Sequence, residues 1–260
     1  MVPSRTTAAI VRNLKLTLAY DGSDFHGWQV QPQRSTVQGA LAAAIERVTG
    51  CRVLPQGSGR TDAGVHALAQ VASCQLDAGI PTENLQRALN HALPAAIRVI
   101  RVEEAAPEFH ARRSARAKTY RYRIFRGEVC PPFLPRYVYH YPYPLHEEAM
   151  QAAAALVVGE HDFTSFASVD PERGREDEAV SNLRTICSSE WTRQEEEFIY
   201  TVRGSSFLHH MVRNLVGTFL LVGKGTLDRE GMKRILAARD RSAAGPTAPA
   251  CGLCLVSVEY

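Results

Sequence analysis

Long apolar runs are missing from this sequence. The longest, Leu215 to Val222, is interrupted by Gly217 and Thr218 and falls far short of the roughly 20 residues a bilayer span requires. No membrane partner is expected. The first twenty residues lack the basic-then-apolar order of a secretory leader, so a cytoplasmic protein is expected. Cysteine is sparse as well: Cys51, Cys74, Cys130, Cys187, Cys251 and Cys254 are scattered through 260 residues, which reads as thiols in a reducing compartment and not as a disulfide framework. There is no low-complexity tract and no visible internal repeat. What is present, 45% apolar and 22% charged residues, suits an ordinary globular chain that buries roughly 70% of its extended surface without a covalent or metal staple.

Net charge is small, at +3, but it is unevenly distributed. From His110 to Arg126 the chain carries Arg112, Arg113, Arg116, Lys118, Arg121, Arg123 and Arg126 with no acid among them. Acids gather instead at Asp170 to Glu178 and at Glu195 to Glu197. Such segregation suits a surface that faces a polyanion, with a solvated basic strand as the plainer reading.

Periodicity supplies the organisation. Asn13 to Tyr20 alternates as a strand, and a helical pattern opened by Thr36 runs through Val37, Leu41, Ile45 and Val48 to Gly50. Val65 to Leu76 is strand-like, Thr82 to Ala92 helical before Pro94, and Ile97 to Val102 alternates again. In the second half, a strand is expected at Thr119 to Phe125, then a Pro-rich crossing from Pro131 to Pro144 that reads as a linker, then a helix at His146 to Val157. Strands at Leu183 to Thr192 and Glu197 to Arg203, helices at Phe207 to Val222 and Asp228 to Ala238, and a strand at Leu253 to Tyr260 complete the chain. This pattern predicts an α+β fold of two ferredoxin-like βαββαβ halves with mainly antiparallel sheets, an N-terminal half over 1–105 and a C-terminal half over 106–260.

Three segments could carry chemistry. Gly57 to His66 sets Arg60 and Asp62 among three glycines, where the backbone can turn sharply and approach a ligand closely. In extended backbone the two side chains share a face, and the guanidinium would keep the carboxylate ionised, ready to act as nucleophile or base. A capped tight turn is the plainer alternative. The segment is neither a P-loop nor a nucleophile elbow, because no Gly-Lys-Ser/Thr follows and Ser58 sits directly between glycines.

The second segment is the basic strand. Lys118, Tyr120, Tyr122, Ile124 and Arg126 fall on one face and Thr119, Arg121, Arg123 and Phe125 on the other. Rings beside cations are what a base-stacking platform needs, although a strand tyrosine also serves a core. In the third segment, Phe207 to Gly217, Arg213 lies in apolar surroundings and should reach an acid or an anionic ligand, with Asp62 an attractive partner. His209 and His210, adjacent on a helix, would point about 100° apart and make a poor metal pair.

Taken together, the blocks Ala19 to Gln31 (AYDGSDFHGWQVQ), Gly59 to Ala67 (GRTDAGVHA), Phe109 to Arg112, Lys118 to Tyr122 (KTYRY), Gly159 to Phe166, Met211 to Asn214 (MVRN) and Gly252-Leu253 resemble the tRNA pseudouridine synthase A family almost end to end. Ser23 stands where that family usually has Thr. The resemblance implies a nucleophilic Asp62, an Arg60 that helps hold the target nucleotide out of the stem, and a Tyr120 placed against the target base. It also implies that Arg213 pairs with the carboxylate and that Leu253 lines the pocket, in a cleft between the halves. Lys118, Arg112 and Arg121 are the further candidates for RNA contact. The family isomerises uridines of the tRNA anticodon stem-loop, about positions 38 to 40 of the RNA, after flipping the base. It works as a homodimer with neither metal nor other cofactor.

Two other classes use the same residues. A non-enzymatic RNA-binding module would need only the basic strand. A zinc nucleobase deaminase is suggested by His146-Glu147-Glu148 and Cys251-Gly252-Leu253-Cys254, but Ala250 separates Pro249 from Cys251, and cysteines three apart on a strand face opposite sides.

Overall fold

The computed structural model describes residues 11–169 and 181–260. The acidic stretch Asp170 to Glu178 therefore lies outside the described residues, as do the first ten residues of the stretch read for a leader. Two compact units emerge: one comprises the described residues up to Ala63 with Ala67–Ala115, the other Gly64–His66 with Arg116–Tyr260.

The first unit contains β1 (Arg12–Tyr20), α1 (Val37–Thr49), β2 (Gln56–Gly57), β3 (His66–Leu76), α2 (Thr82–Ala92) and β4 (Ile97–Ala105). Alternation places Leu14, Leu16, Leu18 and Tyr20 on the buried face of β1. The bounds of α1 follow from its ends. The Thr36 hydroxyl accepts the Gly39 amide at 3.3 Å, and Gly50 takes the left-handed conformation at φ 74° that closes a helix without steric cost. Between these caps, Val37, Leu41 and Ile45 are fully buried, while α2 buries Leu85 and Leu89. The strands pair in the order β4-β1-β3-β2, every pair antiparallel.

The second unit contains β5 (Ala117–Phe125), β6 (Tyr139–His140), α3 (Glu147–Ala154), β7 (Gly159–Asp162), β8 (Leu183–Gln194), β9 (Glu197–Gly204), α4 (Met211–Gly223), α5 (Arg229–Ala238) and β10 (Leu253–Glu259). Its strands pair antiparallel in the order β10-β5-β9-β8-β7, with β6 parallel to the end of β5. Thus β10-β5-β9-β8 repeats the arrangement of β4-β1-β3-β2: in each unit the first strand lies between the last and the third. The class is α+β, as the pattern predicts.

An aromatic cluster seals the second unit. Trp191 stacks on Phe198 with ring centroids 4.6 Å apart, and Phe219 of α4 meets Tyr200 edge-on at 5.3 Å. Each such pair contributes about 0.5–1.5 kcal/mol beyond its burial. The segment after α5 lies against α4 at Gly217, where a Cβ would fall 1.6 Å from the Pro246 carbonyl oxygen. Only glycine fits there.

Two sequence expectations are corrected, and one strand is unanticipated. The helix read from Phe207 begins at Met211, because His210 adopts φ 59° and breaks the turn. The Pro-rich crossing is not a linker between the units: it belongs to the second and carries β6. Strand β7 has no expectation behind it, since Gly159-Glu-His-Asp162 shows no alternation of apolar residues. None of the six cysteines, all within the described residues, forms a disulfide.

Candidate active site

The candidate residues fall in both units. In the first, the loop between β2 and β3 carries Arg60, which is exposed, and Asp62, which is half-buried. This loop is held from several sides. The Ser58 amide donates to Val71 O at 2.7 Å, and the Ser58 hydroxyl reaches Gln70 Oε1 at 2.7 Å. The Gln70 amide nitrogen donates to Gly59 O at 2.9 Å. At the far end, Thr61 O accepts the Trp28 amide at 3.0 Å, and Thr61 Oγ1 lies 2.8 Å from the Tyr20 hydroxyl.

The block Ala19 to Gln31 now has a physical role: it is the seat of that loop. Gly27, at φ 85°, lets the backbone close on it, for a Cβ would lie 2.5 Å from Thr61 O and 3.1 Å from the Asp62 carbonyl carbon. Trp28, 1% exposed, covers Gly57 so closely that a Cβ there would meet its indole at 2.6 Å. Asp21 accepts both the amide (3.0 Å) and the hydroxyl (2.6 Å) of Ser23, and serine performs this turn without the methyl group of threonine. Arg112 stands exposed in a turn anchored by the Ala111 amide on Ser73 Oγ at 3.0 Å.

In the second unit, Tyr120 points to the helix-covered side of β5 and meets Phe207 edge-on, with centroids 5.0 Å apart. Lys118 and Tyr122 share that face and are buried too. Tyr122 is fully enclosed and donates to Pro249 O at 2.8 Å, and burial raises its phenol pKa well above the ordinary value. An open two-ring stacking platform is therefore corrected to a single candidate, Tyr120, with Tyr122 serving the core. The segment before β10 is held by Tyr122 and by Arg213, whose Nε donates to Ala248 O at 2.8 Å. Leu253 pairs with Tyr122 across the sheet and Leu255 with Tyr120, so Arg213, Leu253 and the two tyrosines gather around one strand end. Asn214, at 0% exposure, binds Phe166 O (2.8 Å), Thr247 Oγ1 (2.7 Å) and Arg241 (3.0 Å). Its place in MVRN is structural.

The basic run is divided. Arg112, Arg113 and Arg116 are exposed. Arg123 makes a two-pronged pair with Glu197 at 2.6 and 2.5 Å, and Arg126 donates to the carbonyls of Tyr141 and Tyr143 beside Glu147. Those two cations are therefore spent within the fold. Arg121 lies on the face opposite Tyr120, half-buried, with its Nε enclosed and without a hydrogen-bond partner.

Two further expectations change. Cys251 and Cys254 do not share a strand: Cys251 sits in a short helical turn with its thiol on Val138 O at 3.4 Å, and Cys254 is the second residue of β10. The rings of His209 and His210 do not diverge but stack, with centroids 3.9 Å apart, because both precede α4.

Sequence reasoning assigned no role to Gln70, Tyr20 or Phe207. Tyr20 and Trp28 could have been flagged by the block that contains them; Gln70 gives no local signal at all.

The model of the tRNA pseudouridine synthase family matches residues 17–112 and 153–260. The chain belongs to this family. It is 52% identical over 250 residues to tRNA pseudouridine synthase A of Solibacter usitatus, covering 96% of this chain and 100% of that protein. The corresponding protein of Moorella thermoacetica is 48% identical over 250 residues, covering 95% and 99%, and that of Brevibacillus brevis 44% over 250 residues, covering 96% and 100%. This chain is accordingly an enzyme of the pseudouridine synthase class, and a non-catalytic RNA module and a zinc deaminase are both set aside. Arg60, Asp62, Arg112, Arg213 and Leu253 lie inside the matched segments; Lys118, Tyr120 and Arg121 lie between them. Among the described residues no helix is long and apolar enough to cross a membrane.

Proposed function

We propose that this enzyme converts uridine to pseudouridine in the anticodon stem-loop of tRNA, with the Asp62 carboxylate as nucleophile. The observation that carries the reading is the loop bearing Asp62: its backbone is fixed at Ser58, Gly59 and Thr61, while Asp62 itself is half-buried. A rigidly aimed carboxylate is what covalent catalysis at carbon demands. The N1–C1′ bond breaks, the detached uracil turns while enclosed, C5 bonds to C1′, and the C5 proton leaves to solvent. Asp62 serves this sequence by attack at C1′, by addition at C6, or by assisting glycal formation.

Base flipping costs a few kcal/mol, offset by Arg60 at the vacated stem and by stacking on Tyr120. The edge of Phe207 against Tyr120 fixes the plane of that ring. Arg213 is assigned as the partner of the carboxylate and Leu253 as apolar lining, which excludes water during the rearrangement. Arg112, Lys118 and Arg121 are assigned to the phosphates. The equal strand order in the two units supports reading the chain as two ferredoxin-like halves, assigned to 1–105 and 106–260, with residues 106–115 packing with the first unit. We assign the enzyme to the cytoplasm as a homodimer that needs no metal or other cofactor.

Purified enzyme incubated with an unmodified tRNA transcript tests this directly. Chemical mapping should place new pseudouridine in the anticodon stem-loop. Pseudouridine only in another arm of the RNA would overturn the substrate assignment.

A further inference from the structure

We propose that Gln70 and Tyr20 are positioning residues that aim the Asp62 carboxylate, an inference that rests on the nucleophilic role assigned to Asp62 above. Gln70 is fully buried in β3, where an apolar side chain would suit the sheet better. Every polar atom of its amide is engaged on or beside the loop: Oε1 accepts from Ser58 Oγ at 2.7 Å and from the Val71 amide at 3.1 Å, and Nε2 donates to Gly59 O at 2.9 Å. The donor and acceptor ends cannot be exchanged without losing these bonds.

Tyr20, 4% exposed at the end of β1, holds the other side through the Thr61 hydroxyl at 2.8 Å. Two strands of one sheet thereby grip the loop on both flanks of Arg60, at Ser58 and Gly59 on one side and through the Thr61 side chain, immediately before Asp62, on the other. The named contacts act on Asp62 through its backbone. A misplacement of about 1 Å in a reacting group costs on the order of a hundredfold in rate, so release of either grip should appear in the chemical step and leave tRNA affinity unchanged.

The test uses the full-length enzyme and tRNA tritiated at uridine C5. Single-turnover tritium release, tRNA affinity and melting temperature are measured for Tyr20→Phe, Gln70→Leu, Thr61→Val and Thr61→Ser. Tyr20→Phe, Gln70→Leu and Thr61→Val should each lose roughly ten- to a hundredfold in release rate, with tRNA affinity held within about twofold. Thr61→Ser, which keeps the hydroxyl, should restore most of the rate. Release within about twofold of the parent in Tyr20→Phe and Thr61→Val, whatever their melting temperatures, overturns the proposal. If Gln70→Leu fails to fold, the Tyr20 and Thr61 variants decide. An Asp62→Asn enzyme that releases tritium normally overturns the nucleophile assignment itself, and so is told apart from a failure confined to the positioning residues.

Discussion

The hydroxyls of Tyr20 and Thr61 lie 2.8 Å apart in the interior of the first unit, one residue before Asp62. This bond joins the end of an ordinary amphipathic strand to a loop that has no regular structure of its own. Around it, Gly27 and Trp28 close on the same loop, so the geometry of the candidate nucleophile depends on residues more than thirty positions earlier in the chain.

Gly27→Ala should therefore damage the site by pushing on the backbone that carries Asp62. The new Cβ would stand 2.5 Å from Thr61 O in a residue at φ 85°. Strain of this kind costs about 1–3 kcal/mol, and displacement of the loop adds to it. Urea denaturation should show a lowered midpoint at unchanged slope, and turnover per folded molecule should fall as well. A variant with parental midpoint and turnover would show that the loop is not seated on Gly27.

Binding of tRNA should depend steeply on salt. With about four phosphates neutralised, log K falls against log salt with a slope of about −3, so a fourfold rise in salt weakens binding roughly sixtyfold. Replacing Arg112 with Gln should flatten that slope by about 0.7–0.9. Replacing Arg123, committed to Glu197, should leave the slope unchanged and lower stability instead. Equal slopes for the parent and the Arg112 variant would remove that arginine from the RNA track.

One acid-range effect follows from Asp162. Its carboxylate accepts the Thr164 hydroxyl at 2.5 Å and the Thr164 amide at 3.0 Å and faces Arg239 at 3.2 Å, and these contacts, the hydroxyl first, hold it below the ordinary aspartate pKa. A depressed folded-state pKa contributes stability that is present above the unfolded value of 3.8 and lost as pH falls through the folded one. Compared with Asp162→Asn, the parent should be more stable at neutral pH, and the gap should narrow as pH drops below about 4. A gap of constant size down to pH 2 would contradict this.

Thiol chemistry offers an independent check of burial. Cys187 is exposed on β8, whereas burial pushes the Cys74 thiol up to about 12. At pH 8 a small disulfide reagent should modify Cys187 quickly and Cys74 only after unfolding. Rapid modification of Cys74 in the native enzyme would mean that β3 is not where the fold places it.

Regular elements with strong ends were legible in the sequence. The bounds of α1 could be read because Thr36 and Gly50 are a hydroxyl cap and a left-handed stop. The start of α4 was not, because Phe207 and Leu208 continue the apolar spacing while the backbone at His210 departs from the helix. Short elements such as β6 and β7 exist only through their partners, β5 and β8, and carry no periodicity of their own.

Within the site, Asp62, Arg60 and Tyr120 stood out by residue type and by the blocks around them. Gln70 did not: inside VHALAQVASCQL it resembles a solvent-facing strand residue, and its burial follows from the tertiary placement of Ser58 and Gly59. The neutralisation of Arg123 and Arg126 was equally invisible, since Glu197 and Glu147 are distant in sequence. Contacts of that kind depend on sheet register, which a local pattern does not encode.

The role proposed for the Asp62 carboxylate is to form or assist the bond at carbon. Asp62→Asn keeps the size and loop seating of the side chain and removes its charge, so single-turnover tritium release from C5-labelled tRNA should vanish into background while tRNA still binds within about threefold of the parent affinity. Release at the parental rate by that variant would contradict the account.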